Sequence, residues 1–311
     1  MGLGLGAHPA TAQGRTGIPE IDSLPLHDWR TPGRPLSYPK ALLLSAGIPG
    51  GGQFYGGHPV RGGFLMGLET VLVGLAVYTN FVDLPKWRDQ FRDALDSADL
   101  RFQETIRFPE RAAELEAERR RFVDLARDRF ELGAKQADLA NSQIAWAAGL
   151  HAYGLLDAVE IAYLSRQPPG ETLSARKALL RGMLFPGGGQ LYNHRYGKFG
   201  MLWMTLGASA VSAYSRQQVV DLLNERLRTA RAEIAGGSGS AGEVDRLEND
   251  RTLYRKRRNQ YFWGMALFYV YAMLDGMVDA ALSDFDSPER FALEFGPGPG
   301  GALALEIKLP F

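Results

Sequence analysis

The chain has 311 residues, with 35 basic and 35 acidic side chains and no cysteine. A balanced charge of this kind argues against a nucleic-acid-binding protein that relies on a net positive surface. The absence of cysteine excludes disulfides, thiolate metal sites and cysteine nucleophiles. Long apolar runs alternate with stretches rich in Arg, Glu and Asp, and this segregation is the starting point for predicting the fold.

Residues 1–37 precede the first apolar run. The segment Ala10-Thr11-Ala12-Gln13 resembles a small-residue signal-peptidase site, although a charged n-region and a full apolar h-region are missing. Two interpretations stay open, a truncated signal peptide or a plain N-terminal arm, and the cleavage-like site favours the first. Residues 14–37 are rich in Gly, Pro and polar groups and predict an extended linker.

A seven-residue motif occurs twice, as Pro-Gly-Gly-Gly-Gln-Phe-Tyr at 49–55 and Pro-Gly-Gly-Gly-Gln-Leu-Tyr at 186–192. The offset between the two is 137 positions (186 − 49). A second pair of similar segments starts at Leu156 and at Leu274, with an offset of 118 positions (274 − 156). A duplicated unit with a shorter middle in its second copy explains both offsets. We therefore define a first copy, 38–166, and a second copy, 173–286.

Each copy has the same order of segments. A short apolar stretch leads into the glycine-rich turn, and two longer apolar segments enclose a charged region. The longer apolar segments are 62–82 and 143–164 in the first copy, and 199–214 and 260–282 in the second. About 20 helical residues cross a bilayer core. The sequence therefore predicts an all-α integral membrane protein with about four transmembrane helices and two short re-entrant or interfacial segments. A large soluble helical protein is the alternative.

The charged regions predict helical hairpins outside the membrane, at 86–141 and 215–258. A solvated hairpin and a docking surface for a protein partner are both compatible with this composition. Arg and Lys are more numerous beside these hairpins than at the opposite ends of the spans, which favours cytoplasmic hairpins and extracytoplasmic termini in a bacterial cytoplasmic membrane. Residues 287–311 alternate apolar and polar around a Gly-Pro run, and predict a short β-hairpin that packs on the outer face or on a partner.

The two turns supply one group of candidate residues. Glycines after a proline permit positive φ or close backbone approach, and the following Gln and Tyr place polar groups at membrane depth, where they need partners. A phosphate-binding loop is disfavoured because Gly-Lys-Ser/Thr and a preceding strand are both missing. The candidates are Pro49, Gly50, Gly52, Gln53 and Tyr55, and Pro186, Gly187, Gly189, Gln190 and Tyr192.

Ionisable residues within the apolar segments form a second group. Glu69, Asp157, Asp275 and Asp279 are costly in a membrane and indicate a site or a structural pair. Arg61 and Lys198 follow the two turns at equivalent positions, so we expect Arg61 to pair with Asp157 and Lys198 with Asp275. An ion or proton pathway is the alternative. The histidines show no metal-ligand spacing, and we expect no metal, cofactor or catalytic residue.

The two turn motifs and Leu-Asp-x-x-x-Asp-Ala-x-Leu-Ser at 274–283 resemble a bacterial membrane family, domain of unknown function 5683. The second copy, 173–286, is the more similar, because the first has Ile161 where the second has Asp279. A fainter similarity is to two-span TM2 domains, which begin with a glycine-rich turn containing tyrosine. These resemblances imply helical membrane proteins and supply no activity or ligand.

Two classes of function follow. The first is a structural, assembly or interaction component of the cell envelope, which lies in the lipid bilayer and binds a protein partner through its hairpins or C-terminal tail. The second is a small transporter or channel-like subunit that uses the intramembrane carboxylates. An enzyme is not expected.

Overall fold

The computed structural model of the chain describes residues 35–166, 173–237 and 239–283, together with the backbone of 292–297 and 303–308. The expected signal peptide and most of the expected linker lie outside these residues.

The first copy begins with two short helices, α1 (Tyr38–Gly47) and α2 (Gly51–Tyr55). A long helix follows, composed of α3 (Pro59–Tyr78), a π-helical segment (Thr79–Asp83) and α4 (Leu84–Arg107). After a 3-10 turn (Pro109–Arg111), α5 (Ala112–Leu164) returns along it.

The second copy has the same order of helices. Short helices α6 (Ala175–Leu184) and α7 (Gly188–Tyr192) precede the long helices α8 (Tyr196–Ala235) and α9 (Ala241–Leu282). Glycine at 236 and 237 ends α8, and Gly237 takes a positive φ of 77° that most residues avoid.

The charged hairpins continue the apolar helices without a break. In α5, for example, 53 helical residues contain a charged first part and a more apolar second part. The sequence composition suggests a boundary between each apolar span and its charged hairpin. In the structure this boundary is a change from apolar to charged side chains along one continuous helix.

The long helices form an open row. The α3–α4 helix packs on α5, α5 packs on α8, and α8 packs on α9. In the part of the chain that the structure describes, α3–α4 does not contact α8 or α9, so the row does not close into a bundle. Beyond the apolar segments, a core of aliphatic residues from α8 meets α9; its members include Val220, Leu223, Leu227 and Leu247.

The expectation of about four transmembrane helices is wrong. Among the described residues, two helices are long and apolar enough to cross a membrane, by length and composition: Pro59–Arg107 and Ala241–Leu282. The apolar part of α5 does not qualify because it contains Asp157, Glu160 and His151. In α8 the apolar run is short and lies between Lys198 and Arg216.

Two strands lie near the C-terminus, β1 (Ala292–Pro297) and β2 (Leu303–Lys308). They pair antiparallel, with Leu293 opposite Ile307 and Phe295 opposite Leu305.

A buried carboxylate joins the charged parts of three long helices. Glu131 of α5 is 2% exposed and accepts hydrogen bonds from Lys135 at 2.7 Å and from Arg246 of α9 at 3.0 Å. A guanidinium nitrogen of Arg226 on α8 lies 3.7 Å from Glu131. Burial opposes ionisation of Glu131, but the hydrogen bonds from Lys135 and Arg246 outweigh it and hold the pKa of this carboxyl below its usual value. The two expected hairpins are thus one ion-paired block.

We expect Glu131→Gln to lower the free energy of unfolding by about 2 kcal/mol, because hydrogen bonds between charged groups are lost in a buried place. The lowered pKa means that this contribution is complete above the usual carboxyl pKa, about 4.3, and is lost as the pH falls through the lowered value. Thermal unfolding of the purified chain across this acidic range measures it. The matched control is Glu225→Gln, whose pair with Arg228 is exposed. An equal pH dependence in wild type and Glu131→Gln would contradict this role.

Candidate functional site

The first glycine-rich turn packs directly against the start of α3 and against α5. Gly50 has a φ of 77°, and a Cβ built there would lie 2.2 Å from the Gly62 carbonyl oxygen. A Cβ on Gly52 would lie 2.4 Å from Cβ of Ala158 on α5. No larger residue fits at either position without displacement, so the motif's glycines allow α2 to press against α3 and α5.

The second turn repeats this arrangement. Gly187 has a φ of 87°, and a Cβ there would lie 2.4 Å from the Phe199 ring. At Gly189 a Cβ would meet the Ala178 carbonyl oxygen at 2.8 Å and Cα of Gly276 on α9 at 3.6 Å. Both prolines, Pro49 and Pro186, directly precede the left-handed glycine.

The glutamines of the turns are buried, and each donates to the long helix that ends its copy. Gln53 Nε2 donates to the Gly154 carbonyl oxygen at 2.8 Å and to Asp157 Oδ2 at 2.9 Å. Gln190 Nε2 donates to the Ala272 carbonyl oxygen. Gly154 and Ala272 are equivalent positions at the 118-residue offset, so the same bond is formed in both copies.

The tyrosines of the turns bind the residues that precede the first short helix of each copy. Tyr55 OH accepts a hydrogen bond from the backbone N–H of Ser37 at 3.3 Å, and Tyr192 OH accepts from Ser174 at 3.2 Å.

Two serines that were not among the candidate residues bind the same segments. Ser165 Oγ accepts from the Leu36 N–H at 3.0 Å, and Ser283 Oγ accepts from the Leu173 N–H at 2.9 Å. A sequence signal for these bonds exists, because Leu-Ser at 36–37 recurs at 173–174 with the 137-residue offset.

The structure contains both expected ion pairs. Arg61 bonds Asp157, which is fully buried. Lys198 Nζ lies 2.9 Å from Asp275 Oδ1 and 2.7 Å from Asp279 Oδ2. In each copy a cation at the start of the long helix after the turn is thereby tied to the long helix that ends the copy.

The surroundings of Asp157 also join the two copies. Glu160, one turn further along α5, accepts a hydrogen bond from the Gly197 N–H at 2.6 Å and lies 3.7 Å from Arg195. A Cβ on Gly197 would lie 2.7 Å from Asp157 Oδ1, so the first turn of α8 rests on this carboxylate. A negative charge at a helix N-terminus is energetically favourable. This contact therefore fixes the start of α8, in the second copy, against α5 of the first.

Glu69 is placed differently from the other candidates. Its Oε1 lies 2.8 Å from Nδ1 of His151 on α5, at a groove of about 650 Å³ between α3 and α5. The walls are otherwise mainly apolar, and Asn80 and Phe81 of the π-helical segment border it. The second copy has Leu206 and Tyr269 at the equivalent positions.

The arrangement brings most candidate residues into two equivalent clusters and leaves Glu69 apart. Within the ranges that the structure describes, no group of three or more His, Asp or Glu residues could hold a metal ion. That the chain has no cofactor and no catalytic residue stays a prediction.

We expect Arg61 and Asp157 to be energetically coupled. Asp157→Asn removes a buried charge and leaves Arg61 without its main partner, so we expect a loss of about 3 kcal/mol in unfolding free energy. In a double-mutant cycle with Arg61→Gln, measured by denaturant unfolding, the coupling should exceed about 1 kcal/mol. The exposed pair Arg111–Glu114 serves as the matched control, with an expected coupling below about 0.5 kcal/mol. Additive effects of Arg61→Gln and Asp157→Asn would show that the pair does not tie the turn to α5.

Comparison with curated proteins and with solved structures gives no significant match for this chain. A match to a family model covers the whole second copy and continues into the C-terminal segment. The resemblance that the motifs of the second copy indicated is confirmed: residues 171–304 match the family described as "Family of unknown function (DUF5683)".

Proposed function

We propose that this chain is a membrane-embedded structural or interaction component of the bacterial cell envelope. The observation that carries the proposal is the exposure of the two candidate spans. Only 22% of the apolar window in Pro59–Arg107 and 17% of that in Ala241–Leu282 is buried by the rest of the chain. A core helix of a soluble protein is mostly buried, whereas lipid favours apolar side chains at an exposed surface.

The positions of these helices in the row support the same conclusion. The apolar segments α3 and α9 lie at its two outer ends, where large side chains such as Phe64, Val71 and Trp263 are exposed. Apolar surface on this scale marks contact with a membrane or a partner. The exposed charged residues concentrate on the other ends of the same long helices.

A structural role is supported by the state of the motif residues. The turn glutamines, Arg61, Lys198 and their carboxylates are engaged in bonds between helices, and the turn tyrosines bond the residues that precede α1 and α6. Such bonds hold helices in register and leave little freedom for ligand exchange. The ion-paired block around Glu131 is then a rigid, charged surface for a protein partner outside the bilayer.

Membrane insertion and topology are tested on the intact chain. We expect it to float with membranes after an alkaline carbonate wash, because apolar helices and not surface charge hold it there. Single cysteines at Ser240, in the loop between α8 and α9, and at Lys177, on α6, then report sidedness. With cytoplasmic hairpins, a membrane-impermeant maleimide added to intact cells labels Lys177→Cys and leaves Ser240→Cys unlabelled until lysis. Recovery in the soluble fraction would reject membrane insertion, and the reverse labelling pattern would invert the topology.

A small transporter or channel-like subunit is a second candidate, and the groove at Glu69 favours it. Glu69 has a histidine where the other carboxylates of the apolar segments have Arg or Lys, and its pair occurs in one copy only. A carboxylate beside an imidazole is able to relay protons. The π-helical segment at the groove adds a feature that is frequent at functional sites.

Proton flux into vesicles that contain the purified chain and an entrapped pH-sensitive dye tests this candidate. We expect Glu69→Gln to reduce such a flux at least tenfold with little change in the unfolding midpoint, because the relay loses its titratable group. Asp83→Asn, at the end of the π-helical segment and outside the groove, is the matched control. Wild-type vesicles no more permeable to protons than empty ones would remove the transport candidate.

A further inference from the structure

The contact between the two copies is built on close approach of α5 and α8. A Cβ on Gly200 would lie 3.1 Å from the Leu156 side chain and 3.3 Å from Cα of Tyr153. Further along, a Cβ on Gly149 would lie 2.9 Å from Cγ of Met204. Small and large side chains therefore alternate across this interface, which permits tight helix packing.

The equivalent face of α9 has no partner in the part of the chain that the structure describes. At the 118-residue offset, Tyr153, Leu156 and Gly149 correspond to residues that are all apolar or aromatic and exposed. These are Tyr271 (57%), Leu274 (46%) and Leu267 (70%). We call this surface the α9 end face.

The equivalent face of α3 is also open. At the 137-residue offset, Gly200 and Met204 correspond to Gly63 and Gly67, and a Cβ at either glycine would meet nothing within 4 Å. Gly197 corresponds to Val60, which is 87% exposed. Leu65 and Leu202, equivalent positions on the opposite face, are both buried, which supports the register of the comparison. We call the open surface the α3 end face.

The residues on the two end faces differ from the internal interface in a mutually compensating way. Inside the chain, glycine at 149 faces methionine at 204; between the end faces, leucine at 267 would face glycine at 67. The large and small partners are exchanged, so the combined volume fits again. Inside the chain, Glu160 bonds the start of α8 at Gly197; between the end faces, Val278 would meet Val60, so an apolar pair takes the place of the carboxylate and the glycine.

We propose that the α9 end face of one chain docks on the α3 end face of a second copy of this chain, in the way that α5 docks on α8. The inference deepens the proposed function by naming a second copy as a partner. The contact is heterologous, since different faces meet, and it continues the row of helices from chain to chain. Such contacts generate a ring when the rotation closes and an open polymer when it does not.

The absence of native cysteine allows a direct test. Gly63→Cys and Leu274→Cys, equivalent to the touching pair Gly200 and Leu156, are placed in two differently tagged chains, co-expressed and oxidised in membranes. We expect a disulfide-linked product with both tags, because the equivalent Cβ positions inside the chain lie 3.1 Å apart, and a shift of a few tenths of an ångström brings them to the Cβ separation of a disulfide. A single chain with both substitutions should give a series of products at multiples of the monomer mass. Val73→Cys, which borders the groove toward α5, replaces Gly63→Cys in the matched control, and at least tenfold less product is expected.

A size-exchange variant tests the specific fit. Gly67→Leu adds a side chain in open space within its own chain, so folding is retained, but it should collide with Leu267 of the second copy. We expect at least a tenfold loss of the cross-linked product with Gly67→Leu, and recovery when the partner chain carries Leu267→Ala.

Three outcomes would overturn the proposal. The first is equal product with Val73→Cys, and the second is a dominant product between two Gly63→Cys chains, which would place α3 on α3. The third is no cross-link in a chain that floats with membranes, which would leave lipid on both end faces. This last result keeps the proposed membrane location intact, whereas recovery in the soluble fraction rejects that location by itself.

Discussion

The close approach of each glycine-rich turn to the last long helix of its copy is the contact on which the other interactions depend. With no side chain at Gly52, α2 lies directly on α5 at Ala158. Only at this distance does the short Gln53 side chain reach both a backbone carbonyl oxygen and Asp157. A backbone carbonyl in an intact helix already accepts one bond, so the glutamine adds a second bond that is possible only through such proximity.

The buried carboxylates specify the arrangement of the helices at this contact more than they stabilise it. Removing a charge from water costs about as much as its pairing returns, so an ion pair such as Arg61–Asp157 contributes little net stability over an apolar pair. It does exclude other arrangements, since a shift of one helical turn would leave Asp157 buried without a cation. The first turn of α8 also rests on Asp157, through Gly197. The orientation of the second copy is thereby coupled to the ion pair of the first.

The sequence predicted these clusters because similar segments recur at two constant offsets, and positions related by these offsets form equivalent contacts in the structure. The turns, Arg61 with Asp157 and Lys198 with Asp275 were accessible from the two offsets alone. The number of candidate spans was not, because the apolar part of α5 contains Asp157 and Glu160 and the apolar run of α8 is short, so neither is apolar enough over the length of a span. The ion network at Glu131 was also missed, since it joins three helices at positions with no common spacing, and charge density alone indicated solvated hairpins or a docking surface. His151 was missed for a related reason, because its partner Glu69 lies 82 residues away and has no counterpart in the second copy.

The differences between the copies carry more information about function than their shared motif. A residue that serves only to fold the unit is needed in both copies, as Gln53 and Gln190 are. A residue present in one copy only, such as Glu69, is not required by the common architecture and must be explained by its own surroundings. The same reasoning applies to the ends of the row. Within one chain the α5 face needs Glu160 because the start of α8 presents backbone N–H groups to it, whereas the corresponding α9 face has Val278 and presents no such acceptor. The outer faces therefore suit apolar surroundings, either lipid or the end face of a second copy. This conclusion rests on the positions at which the outer faces differ from the equivalent faces of α5 and α8.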